Sequence, residues 1–272
     1  MNAHGHKIHI YCLSAAALTL IATALRALCF GLAFDGDIGY FAVGATLPVF
    51  LHVLEVVSLI ALFSLFFFVP KSAMPAPKKE ALFPARRLLA APVALLFLLC
   101  FIQFCRVNTG RGLPLWLFVL GVLFIPAAAV FFCLPVFGVR RQGLIVALGA
   151  MAVFGVVCLI AFSYFDGYTP MNAPHKTGQH LAAVAVLFYL LYVLRDAAGA
   201  PMPRARILSS ITAFFAAFVV GVSDLLAYPM GAFSDPAYLP VDLLLIGLAV
   251  WIGADVAAHA LSLLPDEKEA KK

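Results

Sequence analysis

Charge is what this sequence has least of. Only 11% of its 272 residues are Asp, Glu, Lys or Arg, whereas a soluble domain carries about 25%. Hydrophobic residues make up 64% of the chain, and the mean hydropathy is +1.06. A water-soluble globule cannot bury that much apolar surface, and the same numbers exclude disordered, collagen-like and disulfide-rich classes. The composition therefore predicts a polytopic membrane protein.

Catalytic and cofactor-binding motifs are also missing. The sequence contains no G-x-S-x-G, no P-loop, no H-E-x-x-H and no Rossmann glycine pattern. The six cysteines include no C-x-x-C pair, and we expect no metal site at the N-terminal histidines His4, His6 and His9. The sequence thus predicts no catalytic residue, no cofactor, no metal and no nucleic-acid partner.

Long apolar segments are what the sequence does contain. A helix crosses the bilayer with about 17–25 apolar residues, and eight segments reach that length. Proline, glycine and charged residues separate them. We therefore predict an all-α fold, a transmembrane bundle of about eight helices in one domain, 1–272. The eight segments are 8–31, 43–69, 88–105, 114–137, 142–164, 177–194, 207–228 and 239–264.

The basic residues predict the orientation of these helices. Cytoplasmic loops are enriched in Lys and Arg, and here 14 of the 18 basic residues fall on the side of the N-terminus and 3 on the other. The sequence thus predicts a cell-membrane protein with both termini cytoplasmic. Besides the lipid bilayer itself, the expected partners are anionic lipid headgroups at the basic loops. The 14 residues are Lys7, Lys71, Lys78, Lys79, Arg86, Arg87, Arg140, Arg141, Arg195, Arg204, Arg206, Lys268, Lys271 and Lys272.

Two outer loops resemble each other. The first reads AFDGDIGYF (33–41) and the third reads YFDGYTPM (164–171). One interpretation is an internal duplication of two parallel four-helix halves, 1–137 and 138–272, in which Asp35 and Asp166 are equivalent. The other is that short aromatic-Asp-Gly turns recur by chance.

Ionisable side chains within the apolar segments form the first candidate site. Such groups are costly in a bilayer and need a partner, a wet cavity or a function. Helical spacing places His52 beside Glu55 and Asp255 beside His259. The functional interpretation is a polar pathway centred on Glu55, the residue we favour. The alternative is structural pairing of Arg26 with Glu55 or Asp224. The candidates are Arg26, His52, Glu55, Asp224, Asp255 and His259.

A second candidate site lies in the outer loops. It comprises Asp35, Asp166, His175 and Lys176. We place His175 and Lys176 in the first turn of the sixth helix, just before its apolar segment begins at residue 177. Cationic side chains there can hold an anion at the helix N-terminus. The simpler interpretation is that these residues solvate a helix end.

Three segments carry a resemblance. They are YFDGYTPMNAPHKTGQHLAAVAVLFYLLYVLR (164–195), GVSDLLAYPMG (221–231) and VDLLLIGLAVWI (241–252). Together with the first outer loop they resemble an uncharacterised family of bacterial eight-span integral membrane proteins. The resemblance implies a bacterial inner membrane and implies no activity.

Two functions remain open at this point. The first is permease-like handling of a small solute or ion through a bundle with a protonatable carboxylate. The second is a non-catalytic membrane partner or sensor that acts through its loops. Convergence of Arg26, Glu55 and Asp255 on one cavity would favour the first function. Isolated pairs would favour the second.

Overall fold

The computed structural model describes residues 3–68, 83–139, 141–170, 172–233 and 235–262. These residues form eight helices, all long and apolar enough to cross a membrane, which confirms the predicted transmembrane bundle. The helices are α1 (Ala3–Ala33), α2 (Thr46–Phe68), α3 (Phe83–Arg111), α4 (Leu115–Cys133), α5 (Gln142–Phe165), α6 (Pro174–Ala197), α7 (Pro203–Ala227) and α8 (Leu239–Ser262).

Several helix ends differ from the predicted ones. Helix α3 extends beyond the predicted 88–105 at both ends and includes Pro92. Helix α4 ends at Cys133 rather than at residue 137, because Pro135 lacks the backbone N–H that the next helical hydrogen bond would need. Helix α6 begins at Pro174, where the missing N–H of proline costs no hydrogen bond. Two unpredicted strands, β1 (Phe34–Asp35) and β2 (Tyr40–Phe41), pair antiparallel between α1 and α2.

Six of the helices form a closed ring. Helices α3 to α8 each pack on the next, and α8 packs back on α3. The main apolar core lies among them and includes Phe97, Leu117, Phe132 and Tyr189. Helix α1 packs on α7 from outside the ring, α2 packs on α1, and these three share a second core. Helix α7 therefore borders both cores.

Helices α7 and α8 approach each other closely at Gly221. A methyl group on Gly221 would lie only 2.9 Å from the carbonyl oxygen of Asp242. Glycine is needed here because the backbones are too close for a side chain. This contact brings the last turns of α7 beside the first turn of α8.

The connections α1–α2, α5–α6 and α7–α8 meet at one end of the bundle, which we call the distal face. A methyl group on Gly36 would lie 3.3 Å from the carbonyl oxygen of Ala232, and one on Gly39 would lie 3.6 Å from Pro170. The rings of Phe30, Phe34, Phe41 and Phe233 pack together there at centroid distances between 5.0 and 5.8 Å. We call the opposite end, where α1 begins and α8 ends, the proximal face.

The proposed duplication stays a prediction. Asp35 and Asp166 both accept a backbone N–H two residues further on, from Asp37 and Tyr168. Asp166, however, is buried and also bonds Tyr238, whereas Asp35 is only partly buried.

Candidate ligand site at the distal face

Arg26 of α1 joins two carboxylates inside the bundle. Its side chain is 4% exposed, and Nε and Nη2 donate to Oδ1 of Asp224 at 3.3 and 3.2 Å. Nη1 lies 3.7 Å from Oε1 of Glu55. A methyl group on Gly178 would lie 2.5 Å from Nη2, so the glycine makes room for the guanidinium. The predicted structural pairing of Arg26 is thus present with both acids.

His175 of α6 lies between the carboxylate of Asp224 and a third carboxylate, that of Asp242. Its Nε2 lies 3.7 Å from Oδ2 of Asp224 and 3.3 Å from Oδ2 of Asp242. The amide nitrogen of Gln179 donates to Oδ1 of Asp242 at 2.6 Å and lies 2.9 Å from Nε2 of His175. The hydroxyl of Tyr228 donates to Oδ2 of Asp242 at 3.3 Å.

We call these seven residues the distal polar cluster. Helices α1, α2, α6, α7 and α8 contribute to it, and the side chains of Asp224 and Asp242 are fully buried. Buried charges are stable only when they are paired and hydrogen-bonded. The cluster therefore connects five helices and has a structural role in the bundle. Its members are Arg26, Glu55, His175, Gln179, Asp224, Tyr228 and Asp242.

Tyr228 is a hydrogen-bond donor in this cluster. It follows the last residue of α7. Burial raises the pKa of its hydroxyl far above the usual range, and the charges of Asp242 and Asp224 raise it further. The hydroxyl therefore stays protonated and neutral, and it donates a hydrogen bond to Asp242.

Lys176 and Asp166 fix the loop between α5 and α6. Lys176 is 1% exposed, and Nζ donates to the carbonyl oxygens of Asp166 and Thr169 at 2.6 and 3.0 Å. The hydroxyl of Tyr238 donates to the Asp166 carboxylate. The interpretation that His175 and Lys176 solvate a helix end is therefore wrong, because both side chains are buried. Of the four candidates in the outer loops, only His175 joins the distal polar cluster.

A cavity of about 630 Å³ opens at the distal face above the cluster. It is bounded by the three distal connections. The ring of His175 forms part of its wall and stacks on Phe233 at a centroid distance of 4.3 Å. His175 therefore belongs both to the cavity and to the buried carboxylate cluster. Other wall residues are Phe34, Asp37, Tyr168, Asp235 and Tyr238.

Glu55 lies at the edge of the cluster. Its side chain is 25% exposed, and Oε2 lies 3.4 Å from Nδ1 of His52, whose side chain is 61% exposed. The most deeply buried carboxylates are instead Asp224 and Asp242. The preference for Glu55 as the functional residue stays a prediction.

Asp255 lies in a separate group near the proximal face. Its Oδ2 is 2.8 Å from Nη2 of Arg206 and 3.1 Å from the hydroxyl of Tyr189, and Arg206 also bonds Asp196. The side chain of His259, the predicted partner of Asp255, lies outside the described residues. The candidates therefore form two groups and do not all converge.

Sequence reasoning did not place Asp242, Gln179 and Tyr228 among the candidate site residues. Asp242 lies in the first turn of α8, where an acid is normally interpreted as a favourable charge at a helix N-terminus. Gln179 and Tyr228 carry no charge. Arg206 lies just before the predicted seventh segment, 207–228, but the structure places it within α7.

Comparisons of the chain with protein-family models, curated proteins and solved structures find no match. The eight apolar helices define a multi-pass membrane protein. The resemblance to bacterial eight-span proteins and the bacterial inner membrane stay predictions.

Proposed function

We propose that this multi-pass membrane protein admits a small solute or ion through the distal cavity and binds it at the distal polar cluster, as the first step of permease-like transport. The observation that carries the proposal is the position of His175, which lines the cavity and contacts two buried carboxylates. By the distribution of basic residues, the distal face is the outer one.

The charges of the cluster favour a cation. The cluster contains three carboxylates, Glu55, Asp224 and Asp242, and one permanent cation, Arg26. With a neutral His175, the net charge is −2. Low-dielectric surroundings strengthen the attraction for a positive charge, and the carboxylates Asp37 and Asp235 line the approach.

Transport through this bundle requires a rearrangement. Asp242 and Asp255 lie on the same helix, about 20 Å apart along its axis. The described side chains buried between them on α8 are apolar: Leu244, Leu245, Leu248, Ala249, Trp251 and Ile252. A cavity at the distal face together with this apolar stretch of α8 is what one state of an alternating-access cycle would present.

A sensor is the second candidate function. The separation of Asp255 from the distal polar cluster favours it, because a sensor needs a ligand site but no path across the membrane. Its partner would dock on the loops. A sensor and a permease differ in whether the bound solute crosses the membrane.

Charge movement in reconstituted vesicles tests the proposal. Proteoliposomes adsorbed to a solid-supported membrane are exposed to steps in the concentration of alkali, alkaline-earth and transition-metal cations and of small organic cations. The Asp242→Asn variant removes a cluster charge. The Asp35→Asn variant is the matched control, because Asp35 caps a turn and asparagine forms the same turn.

A permease gives a sustained current with at least one cation, lost in Asp242→Asn and kept in Asp35→Asn. A brief binding current without uptake of the cation would favour the sensor. Equal currents in wild type and Asp242→Asn would refute a role for the cluster.

A further inference from the structure

We propose that His175, Asp224 and Asp242 bind one divalent transition-metal cation, of the zinc or manganese class. This inference names the ion for the site proposed above, and it relies on that proposal for the route through the distal cavity. One nitrogen of His175 and one oxygen from each aspartate lie within 4.8 Å of one another.

The spacing of these atoms suits a metal ion. Donors about 2.0–2.1 Å from a tetrahedral ion lie about 3.3 Å from one another. Nε2 of His175 is 3.3 Å from Oδ2 of Asp242 and 3.7 Å from Oδ2 of Asp224. All three ligand atoms lie within 4.8 Å of one another, so the side chains would move closer together around a bound ion.

A buried oxygen without a hydrogen bond points to the same place. Oδ2 of Asp224 is completely buried and accepts no hydrogen bond, although Oδ1 of the same carboxylate accepts from Arg26 and Ser223. Leaving a charged oxygen without a hydrogen bond in the interior is costly. A cation beside Nε2 of His175 would satisfy it.

The surrounding groups hold the two aspartates in place. Arg26 binds Oδ1 of Asp224, and Gln179 binds Oδ1 of Asp242. These hydrogen bonds fix the orientation of both carboxylates beside His175. Partners that fix metal-ligating carboxylates in this way typically raise metal affinity about 10–100-fold.

The donor set and the charge select the ion. One imidazole with two carboxylates suits zinc, manganese or iron(II) better than calcium or magnesium, which prefer oxygen ligands alone. With His175 neutral, a divalent cation brings the sum of the cluster charges to zero. Asp37 and Asp235 in the cavity wall attract the same ions.

The test is metal binding to the purified full-length chain in detergent. His4, His6 and His9 are replaced by alanine and any affinity tag is removed, so that zinc cannot bind there. Isothermal titration with Zn²⁺ and with Mn²⁺ gives stoichiometry and affinity, and Co²⁺ serves as a spectroscopic probe. The variants are Asp242→Asn, His175→Gln and Gln179→Ala, with Asp35→Asn as the matched control.

We expect one metal ion per chain and a visible Co²⁺ spectrum with an imidazole ligand. Asp242→Asn and His175→Gln lower the affinity at least about 10-fold, Gln179→Ala lowers it by a similar factor, and Asp35→Asn leaves it unchanged. Thermal unfolding of each metal-free variant checks that it is folded. Folded wild-type protein that binds neither Zn²⁺ nor Mn²⁺, or affinity unchanged in Asp242→Asn and His175→Gln, would overturn the inference.

The outcomes for the two proposals are distinct. Metal binding without metal flux in proteoliposomes leaves the inference intact and contradicts transport. Flux of another cation without metal binding contradicts the inference and leaves transport intact.

Discussion

Arg26 is the permanent cation of the distal polar cluster. It pairs with Asp224, which is fully buried, and with Glu55. Removing one partner from a buried ion pair leaves an uncompensated charge. We expect Arg26→Gln to lower the free energy of unfolding in mixed micelles by about 3–5 kcal/mol.

The double variant Arg26→Gln with Asp224→Asn is the control for this effect. It removes both charges, so it should recover a large part of the loss. An Arg26→Gln variant as stable as wild type would show that the pair contributes nothing.

A substitution at Tyr189 tests the group around Asp255 near the proximal face. Its hydroxyl donates to Asp255 at 3.1 Å, and hydrogen bonds to charged groups contribute about 1.5–3 kcal/mol. We expect Tyr189→Phe to lower stability by that amount. Tyr192→Phe on the same helix, where the side chain is less buried, should cost less. Equal losses of stability in the two variants would contradict a stabilising hydrogen bond from Tyr189 to Asp255.

At the scale of elements, the contact between α7 and α8 depends on Gly221. An added methyl group would lie 2.9 Å from the backbone oxygen of Asp242, and overpacking of this kind costs about 1–3 kcal/mol. We expect Gly221→Ala to lower the thermal unfolding temperature and to weaken any ligand bound at Asp242. Gly143→Ala is the control, because nothing lies within 4 Å of that position.

If Gly221→Ala unfolds at the same temperature as Gly143→Ala, the two helices are not as close as the structure shows. A change in unfolding without a change in ligand binding would separate the packing role of Gly221 from the site.

The helices themselves were predictable, and their ends were less so. All eight apolar segments became helices because each has the length that a bilayer crossing needs. Helix α3 runs past its apolar segment to Arg111, since polar residues continue a helix once it is formed. Helix α4 ends at Cys133, shortly before Pro135. This end depends on the proline and not on the length of the apolar segment.

The site was predictable only in part. Arg26, Asp224 and His175 stood out singly, as charged or titratable groups in or beside apolar segments. These three residues meet because α7 packs between α1, α6 and α8. The hydrophobic pattern does not predict which helices are neighbours. Asp242, which completes the candidate metal site, looked like an ordinary charge at a helix start.

At the scale of the whole molecule, the distribution of basic residues predicts that the proximal face is cytoplasmic. A fluorescent protein fused to the C-terminus should therefore fluoresce, and alkaline phosphatase fused there should be inactive. Fusions in the loop between α3 and α4 should give the opposite results. An active phosphatase at the C-terminus would reverse the orientation and place the distal cavity in the cytoplasm.

The central claim is that a small solute or ion binds the distal polar cluster. A thermal-unfolding screen of ions and metabolites on wild type, Asp242→Asn and Asp35→Asn tests it most directly. A ligand at 100 times its dissociation constant should stabilise the wild type by about 2.7 kcal/mol. We predict that this shift is lost in Asp242→Asn and kept in Asp35→Asn. A shift of equal size in all three proteins, or no shift with any compound, would contradict the claim.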